Sequence, residues 1–183
     1  MSLRNWDNKT WLSSREYIKS FINFLLEQVN IDKDSQILDI GCGRGKILGS
    51  LASRTRLNKK PIGIDIERHI DKDLRIKFKK IDAISFFDEN NKKFDLILIK
   101  QTIHLLSLYN IKKLINYCKK NLKSGGAILV FTLDPYNNEI PSFKLMKKKL
   151  NKSLERDENI IKLLSKLSFK KDFKKFKFKV KIT

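Results

Sequence analysis

Gln36-Ile-Leu-Asp-Ile-Gly-Cys-Gly-Arg-Gly-Lys-Ile-Leu48 is the stretch on which the fold of this chain turns. Ile37, Leu38 and Ile40 form a short apolar run, the pattern of a strand covered on both faces. The run contains an acidic residue, Asp39, and passes into Gly41-Cys42-Gly43-Arg44-Gly45, after which Lys46-Ile47-Leu48 opens a helical pattern. Strand, glycine turn and helix together bring a ligand against bare backbone at a helix N-terminus. Glycine belongs in such a turn because a side chain would block close approach and because the backbone visits positive φ. The spacing then narrows the ligand. A dinucleotide fingerprint reads G-x-G-x-x-G, with pyrophosphate on the helix dipole; here the pattern is G-x-G-x-G, preceded by Asp39. A carboxylate in that place suits a ligand carrying an ammonium group better than a pyrophosphate.

Four further segments follow at ordinary α/β spacings. Pro61-Ile-Gly-Ile-Asp-Ile-Glu67 predicts a second strand ending in Asp65, twenty residues after Gly45, where a carboxylate accepts hydrogen bonds from ribose hydroxyls. Phe78-Lys-Lys-Ile-Asp-Ala83, Phe94-Asp-Leu-Ile-Leu-Ile-Lys-Gln-Thr-Ile-His104 and Leu122-Lys-Ser-Gly-Gly-Ala-Ile-Leu-Val-Phe131 come next, and are read as third, fourth and fifth strands through the resemblance they carry. Taken in order over residues 36–134, these segments resemble the motifs of class I S-adenosylmethionine-dependent methyltransferases. The resemblance implies S-adenosyl-L-methionine as cofactor and methyl transfer as activity. It implies that the turn of Gly41, Cys42, Gly43 and Gly45, with Asp39, meets the methionine end of the cofactor. Asp65 then takes the ribose, Ile66 lies against the adenine, and Asp82 with Ala83 meets the adenine edge. Lys100 and Gln101 shape the methionine or acceptor pocket. His104, in the loop that faces the methyl group in the resembled family, is the candidate general base; a histidine opening a helix after a strand is otherwise a packing or capping residue.

The expected fold class is α/β: a Rossmann-like, doubly wound, mostly parallel sheet with helices on both faces. Its ligand crevice lies at the carboxyl ends of the strands, where Asp39, Gly41, Gly43, Asp65, Asp82 and Lys100 all fall. Residues 1–35 read as a helical cap or lid and residues 36–183 as the cofactor-binding domain, together one unit. In the cap, Ser13-Ser-Arg-Glu16 predicts a capping box, followed by Tyr17, Ile18, Phe21, Ile22, Leu25 and Leu26 at helical spacing. Trp6, Trp11 and Tyr17 are either packing anchors or part of a lid over the cleft. Helices are expected from Ile47 to about Arg56 and over residues 110–121, with only a turn or two between the second and third strands.

The C-terminal part is less regular. Pro141 opens a helical pattern of Phe143, Met146, Leu150 and Leu154, and Ile160, Ile161, Leu164 and Leu167 predict a second short helix. Phe176-Lys-Phe-Lys-Val-Lys-Ile182 alternates strictly and predicts an antiparallel C-terminal strand with lysines outward. The resembled family usually ends in a hairpin of two strands, so the domain is either natively short or cut before its last strand. Asp134-Pro-Tyr-Asn137 is similar to the Asp/Asn-Pro-Pro-Tyr/Phe motif of amino-methyltransferases acting on adenine or glutamine. It follows the fifth strand rather than the fourth, which argues against that chemistry and makes it a loop bordering the acceptor.

Composition suits a single domain with its own core. Cys42 and Cys118 make no metal spacing and no disulfide framework, so no metal is expected and a reducing cytoplasm is the expected setting. No apolar run approaches the roughly 20 residues of a membrane span, and Asn5, Asp7 and Asn8 stand where a secretion signal would be apolar. The net charge is +20, and 15 basic against 4 acidic residues fall between Lys144 and Thr183. The cations are mostly lysine, whereas nucleic-acid surfaces favour arginine for bidentate contacts, so a solvated lysine surface is preferred over an anionic partner. The expected function is therefore methyl transfer to a small-molecule acceptor. The alternatives are a methyltransferase of RNA or another anionic macromolecule, and a protein that binds the cofactor without catalysis.

Overall fold

The structure, a computed structural model, describes residues 14–100, 102–132 and 151–167. Its centre is the strand anticipated from the apolar run: β1 (Ile37–Ile40) has every side chain buried. It is flanked by β2 (Ile62–Asp65) and β4 (Phe94–Lys100), and the five-stranded order is β3-β2-β1-β4-β5, with β3 (Lys77–Lys80) and β5 (Leu122–Phe131) outermost. All four pairings are parallel. The chain moves outward from β1 to β3 and then returns to the other side of β1 with β4, which makes the carboxyl ends of β1 and β4 the topological switch point.

Side chains alternate across the sheet and give it two apolar faces. On one, Ile37, Leu96 and Leu98 meet α1 (Arg15–Gln28) and α2 (Lys46–Thr55) through Tyr17, Phe21, Ile22, Leu25, Leu48 and Leu51. On the other, Leu38, Ile40, Ile62, Ile64, Ile97 and Ile99 meet α3 (Ala83–Asp88), α4 (Leu108–Lys120) and α5 (Asn151–Lys166). Each fully buried Leu, Ile or Phe contributes about 1.5–3 kcal/mol relative to leaving it in water. Both faces therefore need their helices. The sheet is doubly wound, as expected.

Several boundaries differ from the sequence expectations. Ser14, not Ser13, caps α1: its hydroxyl accepts the Tyr17 N–H at 3.2 Å. Tyr17 then occupies the position a capping box needs for Glu16, so the reciprocal bond cannot form. The α5 helix runs 16 residues, longer than the short helix expected about Ile160, with Ile160 and Leu164 buried against α4 and the sheet. The β2–β3 connection holds no helix at all. Residues 66–76 instead fold back over the start of α2, where the Asp73 N–H donates to the Arg44 carbonyl at 2.9 Å. Asp73 is only 8% exposed, and its carboxylate accepts from Arg75 Nε at 2.8 Å. The antiparallel strand over 176–182, Trp6, Trp11, Gln101, the helical pattern after Pro141 and the loop of Asp134 to Asn137 lie outside the described residues.

Candidate active site

The glycine turn leaves β1 and is stitched to β2. The N–H groups of Gly41 and Cys42 both donate to the Ile64 carbonyl, at 2.9 and 3.0 Å, and Gly45 N–H closes back on the Cys42 carbonyl at 2.9 Å. Gly41, Gly43 and Gly45 have φ of 72°, 56° and 72°, the left-handed region that favours glycine. Neighbouring side chains impose a second constraint. A methyl at Gly41 would overlap the Thr102 hydroxyl, and one at Gly45 would overlap Ile76. These two glycines are thus required by packing within the protein as well as by backbone conformation. Asp65 reaches across to the turn: its Oδ2 accepts the Gly43 N–H at 2.8 Å, while Oδ1 accepts the Glu67 N–H at 3.0 Å. The residue expected to hold the ribose also holds the turn.

Asp39 stands between β2 and β4, paired with Gly63 on one side and Leu98 on the other. It is 4% exposed, and its Oδ1 has no hydrogen-bond partner among the described residues. Burial pushes its carboxyl up to about 7; the Lys100 ammonium opposes this and the Asp65 carboxylate adds to it. Lys100, at the end of β4, extends over the rings of Tyr17 and Phe21, 5.3 and 5.6 Å from their centroids. Tyr17 is itself buried, and burial pushes its phenol up to about 12. The first two turns of α1 thereby bring two aromatic rings against the Lys100 ammonium. The sequence showed Tyr17 as an anchor or lid residue but not what it would cover.

The remaining candidates surround this centre less tightly. Ile66 leaves β2 with 63% of its surface exposed, so its apolar face is available to a planar ring. Asp82 lies two residues beyond β3 and caps α3, its Oδ1 accepting the N–H groups of Ile84 and Ser85 at 3.0 Å each. Hydrogen bonds from Ser85 and Ile84 hold its carboxyl below the usual carboxylate range. Ala83 is the first residue of that helix. His104 sits half-buried in a single 3-10 turn, Ile103–Leu105, beyond the carboxyl end of β4. Capping of α4 is done by Ser107, which accepts the Asn110 N–H at 3.2 Å, so His104 does not serve as that helix's cap. Thr102 was missed from the sequence; its hydroxyl donates to the Lys100 carbonyl at 3.0 Å and fills the space beside Gly41. A small polar residue two positions past a buried strand was the available signal.

Among the described residues, Asp39 Oδ1, Arg44 Nε and Thr132 Oγ1 are buried side-chain atoms with no hydrogen-bond partner. All three lie at the carboxyl edge of the sheet, in β1, the glycine turn and just past β5. Buried polar atoms are ordinarily satisfied. A polar ligand at that edge would satisfy them. This donor and acceptor set fits a cofactor with an ammonium group, a ribose and an adenine.

Fold and glycine turn together are those of the class I S-adenosylmethionine-dependent methyltransferases. The profile of the family described as "Methyltransferase domain" matches residues 31–176, and the chain belongs to that family. It is 32% identical over 115 residues to phosphoethanolamine N-methyltransferase of Plasmodium falciparum, covering 58% of this chain and 42% of that one. Ubiquinone biosynthesis O-methyltransferase of Aliivibrio fischeri is 23% identical over 151 residues, covering 78% of this chain and 62% of the relative. Among solved structures, a SAM dependent methyltransferase from Archaeoglobus fulgidus superposes with a TM-score of 0.55 at 25% identity, over 64% of this chain and 52% of that one. The chain thus spans about 42% to 62% of the length of these relatives.

Proposed function

We propose that the chain transfers a methyl group from S-adenosyl-L-methionine to a small-molecule acceptor. The observation that carries the cofactor assignment is Asp39 Oδ1, a buried carboxylate oxygen without a partner at the switch point of the sheet. When bound, the cofactor supplies a methyl already activated on a sulfonium. The chain's own residues bind and orient. Asp39 meets the ammonium of the methionine end, and the 41–45 turn gives bare backbone beside it. Asp65 accepts from the ribose hydroxyls, and Ile66, Asp82 and Ala83 border the adenine. Lys100 and Tyr17 close the far side, with residues 1–35 as the cap to which α1 belongs. Alignment of an acceptor against the methyl is positioning catalysis. His104 takes the acceptor's proton where the acceptor arrives protonated.

The small-molecule acceptor is favoured because the phosphoethanolamine and ubiquinone-biosynthesis enzymes are named for small-molecule chemistry. Methyl-labelled cofactor incubated with the protein, a metabolite extract and total RNA tests it. Label in low-mass products supports this assignment. Label confined to RNA, with binding that falls by orders of magnitude on modest salt addition, would replace it with the macromolecular alternative.

A further inference from the structure

Asp39 is enclosed on every side that the described residues define. It is 4% exposed, lies between the backbones of β2 and β4, and its Oδ1 receives no hydrogen bond. An ionised carboxylate so placed is costly, because burial strips it of solvent and its Oδ1 finds no donor among the described residues. The titratable groups facing it are Asp65 from β2, Lys100 from β4 and Cys42 from the glycine turn. From α1, the Tyr17 ring lies beneath the Lys100 ammonium, and α2 contributes none of the charges that shift Asp39. Among the described residues Lys100 is the cation acting on it, and that ammonium also lies over the Tyr17 and Phe21 rings. Asp65, a second carboxylate, makes ionisation harder still.

Building on the assignment of this cleft to S-adenosylmethionine, we propose that Asp39 holds a proton in the free protein and releases it when the cofactor's ammonium group arrives. The proton passes from the carboxyl to solvent, the ammonium keeps its own, and the bound pair is carboxylate with ammonium. Cofactor affinity is then linked to pH through a single group, and the amino-acid end of the ligand is what triggers the release. The direction agrees with the carboxyl's upward shift by burial.

The test is calorimetric titration of the whole chain with S-adenosylhomocysteine, in phosphate and in Tris buffer at the same pH. At about pH 6.5 the two heats should differ by the ionisation enthalpy of roughly 0.5–1 proton released. Affinity should rise roughly eightfold to tenfold between about pH 6 and about pH 7.5. The probe 5′-methylthioadenosine, which keeps the adenosine and the sulfur but has no amino-acid end, should bind without the buffer-dependent heat. Asp39→Asn should bind S-adenosylhomocysteine more weakly and with the same heat in both buffers. Buffer-independent heat from wild-type protein that binds S-adenosylhomocysteine would overturn the coupling and leave the cofactor assignment standing. Proton release that persists in Asp39→Asn, or that accompanies 5′-methylthioadenosine equally, would also overturn it. Absence of binding in either buffer would sink the cofactor assignment and the coupling together.

Discussion

At the scale of single residues, two carboxylates with the same chemistry are placed in opposite conditions. Asp39 is buried without a donor on Oδ1, whereas Asp65 accepts two backbone N–H groups. Asp39 should therefore make the free protein less stable as pH rises. Its folded carboxyl sits at about 7, above its unfolded value. The native state thus holds a proton that the unfolded state has lost between about pH 4 and pH 7, and stability declines across that window. The full effect is of order 4 kcal/mol, opposed in part by other groups. Asp73 and Asp82 are shifted the other way and act at lower pH. Urea unfolding at about pH 5 and about pH 7.5 should show the decline in wild type and a flatter response in Asp39→Asn; equal slopes would remove Asp39 as its source. For Asp65→Ala, titration with S-adenosylhomocysteine should show affinity lower by roughly 10- to 150-fold, about 1.5–3 kcal/mol, because hydrogen bonds to a charged acceptor are lost. Release of the Gly43 N–H adds to that loss. The place of Asp65 at a strand end was legible in the sequence. Its bond to Gly43 was not legible, because spacing alone says nothing about which side chain folds back across 22 residues.

Among elements, the segment that replaces a helix between β2 and β3 sets an unusual condition on α2. Glycine inside a helix normally costs about 1 kcal/mol relative to alanine, so Gly49→Ala would ordinarily stabilise. Here a methyl at Gly49 would overlap the Asp73 carboxyl group, which is buried and bound to Arg75. Gly49→Ala should therefore destabilise wild type, yet stabilise an Asp73→Ala background by up to about 1 kcal/mol. A thermal-unfolding double-mutant cycle reads this change of sign, and additive effects would contradict it. Asp82 has an equally local duty. Asp82→Ala should cost about 1 kcal/mol of stability through loss of the α3 cap, while Asp82→Asn should retain most of it, as urea midpoints would show. Strands β1 and β4 were legible because burial on both faces leaves an almost unbroken apolar run. By contrast, β3 carries three lysines in four residues and no core pattern of its own. It was found through the family resemblance of Phe78 to Ala83, not by periodicity. The misplaced cap on α1 reflects two adjacent serines, Ser13 and Ser14, which sequence alone cannot rank.

For the molecule as a whole, the doubly wound architecture was readable because five short motifs in order admit few topologies. What stayed hidden were the contacts between segments distant in sequence, such as Thr102 against Gly41 and Tyr17 beneath Lys100. The same distance between partners governs how the chain must assemble. The middle strand, β1, pairs Ile37 with Leu96 and Ile40 with Ile99, so one of its two edges closes only after β4 exists. A nascent chain that has passed β3 holds an unpaired apolar edge at its centre, and one sheet face still lacks α4. Long-range parallel pairing of this kind folds slowly and exposes sticky surface in the interim. A fragment ending at Asn90, just before β4, should show little cooperative unfolding by circular dichroism, whereas one including β5 should begin to melt as a unit. Birth order and spatial order run against each other in this sheet, and the strand that presents Asp39 is made first but secured among the last.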